Sequence, residues 1–266
     1  MTKTLSASVA AALGAVVVML GCAVPTGESA GGDRVTASDQ TDADRRARTR
    51  LELASAYYGR GQYETALDEV KQALIAKPDL WEGWNLRGLI YASLGDDRLA
   101  EESFKRAMQL NSRDGDTMHN YAWFLCQRQR YPESIALFQK AVNQPQYASM
   151  SRSLMTLGIC QARAGSLAEA ERSLARAYEL DPSNPVTGVN LSEVLYQRGE
   201  YERARFYIRR VNTMTDVANA QTLWLAARIE NKLGNARGAR DLGQQLRNRF
   251  PNSPEAMAYD RGQFDG

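Results

Sequence analysis

The sequence holds few of the residues from which most catalytic and metal sites are built. His119 is the only histidine in 266 residues, which leaves little basis for a metal site or a histidine-based catalytic triad. The acidic pairs Asp96-Asp97 and Glu101-Glu102 fall at an expected turn and helix start, where acids favour the helix dipole. The short acidic piece Asp114-Gly115-Asp116 lacks calcium-loop spacing. We therefore expect no enzyme, no catalytic residue, no metal, no cofactor and no small-molecule substrate.

The chain also lacks a strong net charge and a second long apolar run. Its 33 basic and 31 acidic residues leave a net charge of +2, and the two signs are interspersed along the chain. Nucleic acids are bound by clustered positive charge, so we expect no nucleic-acid partner. After the first twenty or so residues no stretch is apolar enough to span a membrane, and we expect the remainder to be soluble.

The first residues form an export signal that ends at a cysteine. Lys3 gives a basic start, and a mostly apolar stretch from Leu5 to Leu20 follows, which is short for a membrane span. Gly21 and Cys22 come next, and this arrangement resembles a bacterial lipoprotein signal. We expect residues 1–21 to be removed and Cys22 to become the lipidated first residue. The alternative is an ordinary secretory signal that happens to contain a cysteine.

The residues after Cys22 indicate where the protein is held. In bacterial lipoproteins an Asp directly after the lipidated cysteine retains the protein at the inner membrane, and this chain has Ala23 instead. We therefore expect an outer-membrane lipoprotein that faces the periplasm. Residues 22–46, rich in Gly, Ser, Thr and Asp, are predicted to be a flexible tether, which would hold the folded part roughly 25 Å from the membrane.

From residue 47 onward the sequence repeats with a period of 34 residues, which is typical of tetratricopeptide repeats. Small residues recur where two helices approach closely, and large apolar residues recur between them. The predicted repeats are 47–80, 81–114, 115–148, 151–184, 185–218 and about 220–253. We predict an all-α fold, a right-handed superhelix of about six helix-turn-helix repeats over residues 47–254, followed by a C-terminal tail at 255–266.

Such a superhelix exposes a concave surface that binds other proteins. The repeat register places an unusually apolar set of side chains on this surface, which suits an amphipathic helix or another hydrophobic segment of a partner. The Lys/Asn clamp that holds a terminal carboxylate in some repeat proteins is absent, because Leu51 and Ser55 stand at its first positions. The predicted partner-binding groove consists of Leu51, Tyr58, Asn85, Leu89, Trp123, Met155 and Ile159.

Two further cysteines, Cys126 and Cys160, lie one repeat period apart on the first helices of repeats three and four. An even pair in an exported protein favours a disulfide. Packed helix axes lie about 8–10 Å apart, however, whereas a disulfide needs Cα atoms within about 7 Å. From spacing alone, the pair is either a structural disulfide or two buried thiols.

Several segments resemble one family, the type IV pilus biogenesis and stability lipoproteins. They are His119 to Cys126, Tyr131 to Ser134, Leu89 to Tyr91, Leu94 to Asp97 and Leu246 to Glu255. The resemblance covers the signal and all six repeats, and Cys160 falls where the family places its second cysteine, which supports the disulfide.

The resemblance implies a lipid-anchored adaptor of the outer membrane. Members of this family act as pilotins, which bring secretin subunits to that membrane and promote their assembly into a ring. The partners implied are therefore secretin subunits and the membrane itself. The alternative is a lipoprotein scaffold of similar build that recruits other envelope proteins, such as peptidoglycan hydrolases.

Replacing Cys22 by Ser removes the thiol that would carry the lipid. We expect a folded, binding-competent protein that is no longer labelled with palmitate and no longer fractionates with the outer membrane. As a control, the Ala23→Asp variant should still be labelled but should move to the inner membrane. Palmitate labelling of the Cys22→Ser variant would contradict the assignment.

Overall fold

The computed structural model describes residues 41–214 and 216–264, and this part of the chain contains thirteen α-helices and no strand. The first helices of the six repeats are α1 (Asp42–Gly59), α3 (Trp81–Leu94), α5 (Gly115–Gln127), α7 (Met150–Arg163), α9 (Pro185–Gln197) and α11 (Ala220–Lys232). The second helices are α2 (Tyr63–Ala76), α4 (Asp97–Leu110), α6 (Tyr131–Val142), α8 (Leu167–Leu180), α10 (Tyr201–Asn212) and α12 (Ala236–Arg249), and α13 (Pro254–Asp260) ends the series. The predicted all-α fold and its six helix pairs are confirmed.

Short turns inside each repeat make the two helices antiparallel neighbours. In the second repeat Gly95 ends α3 with φ at +84°, a conformation that glycine adopts without steric cost. The next residue, Asp96, accepts a 2.9 Å hydrogen bond from the backbone N–H of Leu99 and so caps α4. In the third repeat Gln129 takes the left-handed conformation, with φ at +60°.

Small residues let the paired helices approach closely. Gly88 lies directly against the ring of the fully buried Phe104. The third repeat has Ser134 where the repeat pattern favours Ala, and its Oγ donates a 2.7 Å hydrogen bond to the carbonyl of Ala122 on the facing helix. A buried hydroxyl therefore takes the place of a methyl group and still satisfies its hydrogen-bonding potential.

A disulfide joins Cys126 on α5 to Cys160 on α7, with their Cα atoms 6.0 Å apart. Both residues are almost fully buried, at 1% and 0% exposure. Cα atoms that face each other lie closer together than the helix axes, since each Cα stands about 2.3 Å from its own axis, so ordinary helix packing allows this disulfide. In the chain-entropy model, a cross-link that closes a loop of 34 residues stabilises the fold by about 4 kcal/mol.

The helical domain extends beyond both predicted boundaries. The first helix begins at Asp42, inside the segment predicted as tether up to residue 46, because Thr41 and Asp44 form a capping box at its start. Residues 254–260, mostly predicted as tail, form α13. Its Tyr259 fills the space beside Gly243, where the repeat pattern expects a large side chain. The predicted signal peptide, Cys22 and most of the tether lie outside the described residues.

The close approach of α7 and α8 at Gly158 gives a stability test. A Cβ atom on Gly158 would lie 2.6 Å from Leu174 Cγ and 3.1 Å from the carbonyl oxygen of Ala170. We expect Gly158→Val to lower the free energy of unfolding by ~1–3 kcal/mol in urea denaturation, because the core is overpacked. The matched control is Gly59→Ala, where a Cβ meets nothing within 4 Å, and it should stabilise by roughly 0.5 kcal/mol. Equal effects of the two substitutions would contradict this packing argument.

Candidate protein-binding groove

The first helices of successive repeats contact one another in chain order, from α1 through α3, α5, α7 and α9 to α11. Side chains one repeat apart are therefore neighbours on the face that these helices share, which we call the groove. The hydroxyl oxygens of Tyr58 and Ser93 lie 3.4 Å apart, and Asn120 donates a 3.2 Å hydrogen bond to the side-chain carbonyl of Asn85. The register inferred from the sequence period places these residues side by side.

A cavity of about 510 Å³ opens in the groove between α1, α3, α5 and α7, and we call it the central cavity. This volume lies within the range of about 300–1,000 Å³ that is usual for ligand pockets. The lining includes Tyr58, Leu89, Trp123, Phe124, Gln127 and Arg163. Aromatic and aliphatic surface is thus combined with a few polar groups, an arrangement suited to holding large side chains of a partner.

Trp123 is a half-buried part of this lining. It packs on the core cluster that contains Cys126 and Cys160, so the disulfide supports it. On the other side, the guanidinium carbon of Arg163 lies 5.2 Å from the centroid of its ring, within the range of a cation–π interaction. The indole is therefore held between the core and a positive charge.

The two arginines of the lining, Arg128 and Arg163, differ in their partners. Arg128 forms two hydrogen bonds with Asp97, at 2.7 Å from Nε and 2.5 Å from Nη2. The hydrogen bonds from Arg128 hold the pKa of the Asp97 carboxyl below its usual value. Arg163 forms no ion pair with any carboxylate in residues 41–214 and 216–264. Only the charge of Arg163 is therefore left without a counter-charge.

Three of the seven predicted groove residues line the central cavity, namely Tyr58, Leu89 and Trp123. Asn85 lies beside it, since it accepts a hydrogen bond from Asn120, and Asn120 is part of the lining. The structure therefore brings together predicted residues from three successive repeats.

The other three predicted groove residues do not line this cavity. Leu51 packs against the core of the first repeat, and Met155 packs against the core of repeats four and five. Ile159 is half-buried on α7 outside the lining. Leu51 and Met155 lie nearer the start of their repeats than Tyr58, Leu89 and Trp123 do in theirs.

The seven predicted groove residues leave out eight others that line the cavity, namely Ala92, Ser93, Phe104, Asn120, Phe124, Gln127, Arg128 and Arg163. A signal for some of them was present, because Gln127 and Arg163 end the first helices of consecutive repeats. Following that position through every repeat would have found them. Nothing in the sequence period predicts that Asp97 neutralises Arg128 and leaves Arg163 unpaired.

His119 belongs to a buried hydrogen-bond network and does not line the cavity. Its Nδ1 lies 2.8 Å from Ser153 Oγ, which also lies 2.9 Å from the hydroxyl of Tyr147. Asp116 accepts hydrogen bonds from Tyr147 and Arg152. Burial, and to a smaller extent the charge of Arg152, lower the pKa of His119 to about 4, and Asp116 opposes the shift. The imidazole is therefore neutral near pH 7 and links α5 to α7.

Within residues 41–214 and 216–264, no cluster of three or more His, Cys, Asp or Glu side chains has the arrangement of a metal site. None of the helices in this part of the chain is both long and apolar enough to cross a membrane. The feature best suited to a function here is the groove.

Comparison with protein families identifies the repeats. Models described as tetratricopeptide repeat match residues 51–115 and 125–185, 161–223, and 221–253. In sequence, the chain is 24% identical over 209 residues to the type IV pilus assembly protein PilF of Pseudomonas aeruginosa, which covers 79% of this chain and 82% of PilF.

Solved structures give the same relatives. The crystal structure of PilW, described as a widely conserved type IV pilus biogenesis factor, superposes with a TM-score of 0.73 at 30% identity, covering 80% of this chain and 97% of PilW. A structure of Pseudomonas aeruginosa PilF superposes with a TM-score of 0.75 at 23% identity, covering 84% of this chain and 100% of that chain. At 23% identity the PilF structure supports the fold alone. At 30% identity the PilW structure supports a family relationship as well.

The buried His119 makes stability depend on pH. Its folded pKa of about 4 lies below the unfolded value of about 6.5, so between these values the unfolded chain binds a proton that the folded chain does not. Stability should therefore fall as the pH is lowered from 7 to 5, by about 2 kcal/mol. We expect His119→Gln to remove most of this dependence in urea denaturation at the two pH values. An unchanged dependence in the variant would contradict the assignment, because the chain has no other histidine.

Proposed function

Because this chain belongs to the family of tetratricopeptide repeat proteins that includes the type IV pilus biogenesis proteins PilW and PilF, we propose that it is an adaptor in type IV pilus biogenesis. In this proposal it is a pilotin, a lipoprotein that binds secretin subunits and promotes their localisation and multimerisation in the outer membrane. The lipid on Cys22 fixes the location, and the groove binds the subunit.

The observation that carries the proposal is the match to PilW at 30% identity over 97% of that chain. The match covers 80% of this chain, which is most of the repeat array. The choice of a secretin as the partner rests on the family resemblance. The central cavity supports the proposal that the ligand is a protein.

The central cavity has features of a binding site for a protein segment. Its aromatic lining provides large contact area, and buried aromatic anchors dominate the energetics of many interfaces. Trp123 is held in place by the disulfide cluster beneath it, so little of its freedom is lost on binding. A partner side chain that enters the cavity would be stabilised mainly by burial of apolar surface.

The tether and the lipid complete the proposed mechanism. A tether of some 20 residues, as predicted from the sequence, would let the domain sample a volume with a radius of roughly 25 Å, so a bound subunit would stay close to the membrane surface. Confinement of this kind raises the effective concentration of the subunit without any new contact. Assembly of subunits into a ring at the membrane is then favoured by location.

A lipoprotein scaffold that recruits peptidoglycan hydrolases is the rival proposal. It uses the same anchor and the same groove, and it differs in the partner. Deletion of the gene separates the two proposals. The pilotin proposal predicts loss of the detergent-resistant secretin multimer from the outer-membrane fraction, whereas the scaffold proposal predicts normal secretin rings and capture of hydrolases by the protein.

Complementation of the deletion strain tests the groove. We expect Trp123→Ala and Leu89→Glu to reduce the secretin multimer severalfold, because the first removes an aromatic anchor and the second places a charge in the cavity. The matched controls are Phe206→Ala and Ile75→Glu, since these side chains are 60% and 71% exposed outside the cavity. Thermal unfolding of each purified variant checks that it folds.

The outcomes are distinct. Normal multimers in the deletion strain would refute the pilotin function. Loss of multimers in the deletion strain, with full restoration by folded Trp123→Ala and Leu89→Glu variants, would leave the function in place and refute the central cavity as the binding site.

A further inference from the structure

We infer that the central cavity binds a segment of a partner protein in which an aromatic side chain stands next to an acidic side chain. In this inference Arg163 binds the acidic side chain. This inference names the chemistry of the ligand and rests on the proposed role of the cavity in binding a partner. Three observations support it: the charge of the cavity lining, the contact between Trp123 and Arg163, and the way the C-terminal segment packs on the first helix of the last repeat.

The cavity lining carries positive charge and would favour an anionic group on the ligand. No Asp or Glu belongs to the lining, and Arg128 is already neutralised by Asp97. Arg163 is exposed at the end of α7 and its closest partner is the face of Trp123. A guanidinium that stacks on a ring keeps the donors at its edge free. Those donors can bind a carboxylate in two parallel hydrogen bonds.

The disulfide joins the two helices that carry Trp123 and Arg163. Trp123 lies three residues before Cys126, and Arg163 lies three residues after Cys160, so each shares a helix face with its cysteine. The Cα atoms of the two cysteines are 6.0 Å apart. The two side chains meet between the helices, with the guanidinium carbon of Arg163 lying 5.2 Å from the centroid of the Trp123 ring, and the disulfide joins these helices covalently. A ligand meets them as one preformed unit.

The last repeat supplies the precedent for an aromatic ligand. On α11, the ring of Trp224 lies 5.2 Å from the ring of Phe264 in the chain's own C-terminal segment. Arg228 donates a 3.2 Å hydrogen bond to the carbonyl of Phe264 and stacks over Tyr196 at 4.5 Å. This chain thus uses a tryptophan and a stacked arginine to hold a phenylalanine. The central cavity presents the same two residue types, Trp123 and Arg163, with its volume open.

The acid is inferred to be a side chain within the segment. Repeat proteins that hold a chain terminus surround its carboxylate with a clamp of Lys and Asn side chains, and Leu51 and Ser55 replace that clamp here. The cavity offers one unpaired cation at its edge, which suits a single Asp or Glu beside an inserted aromatic ring.

A random dodecapeptide library displayed on phage tests the inference without assuming the partner. The target is the full-length lipidated protein in detergent micelles. We expect wild type to enrich peptides with Asp or Glu within two residues of Phe, Tyr or Trp. Arg163→Glu should lose the acidic residues and keep the aromatic ones, and Trp123→Ala should lose both. Arg113→Glu is the control, since Arg113 is exposed between α4 and α5 and does not line the cavity.

Affinity measurements with the most enriched peptide complete the test. We expect Arg163→Gln to weaken binding roughly tenfold, as for the loss of a charge-assisted hydrogen bond, and Asp→Asn in the peptide to have no further effect on that variant. Acid enrichment that persists in Arg163→Glu, or a library that enriches no aromatic-acidic peptides on wild type, would overturn the inference. The secretin phenotype of the deletion strain decides the proposed function independently of either result.

Discussion

The packing of each repeat on the next is the interaction on which the rest of this structure depends. A single helix pair cannot bury its apolar face, and each repeat gains its core from its neighbours. Most of this packing is between the second helix of one repeat and the first helix of the next, and the smaller contacts between the first helices α1, α3, α5, α7, α9 and α11 form the groove. Between α5 and α7 this contact is reinforced twice, by the Cys126–Cys160 disulfide and by the hydrogen bond between His119 and Ser153.

The groove differs between the middle of the repeat array, where the disulfide lies, and its C-terminal end. In the middle of the array the cross-link holds the wall that carries Trp123 rigid, and an open cavity is retained there. At the C-terminal end, Phe264 packs on Trp224, and α13 covers the helices that have no further repeat beside them. A terminal repeat needs such a cover because it has only one neighbour. Aromatic surface that is left open in the middle of the array is used at the end for capping.

The repeat determines which features of this structure can be predicted from the sequence. A period of 34 residues predicts the helix pairs, since each small residue at a crossing and each glycine at a turn is a local requirement that recurs. The period also brings Tyr58, Leu89 and Trp123 to one cavity, because they lie in the second halves of neighbouring first helices. It does not predict the pairing of Arg128 with Asp97, which depends on side-chain conformations across a repeat boundary. The helical extension at Asp42 was missed because its start is set by a local capping box, Thr41 with Asp44.

Anchoring and preorganisation together set what affinity the groove needs. In the proposed function the subunit must be held until it reaches the membrane and then released into a ring, so very tight binding would oppose assembly. A single aromatic anchor and one charge pair give a small interface, and small interfaces are typical of transient complexes. A rigid cavity wall would limit the entropy lost on binding, and the proposed tether would raise the effective concentration of the subunit at the membrane. A moderate intrinsic affinity is then sufficient for capture near the membrane and weak enough for release, which is the combination that an assembly factor requires.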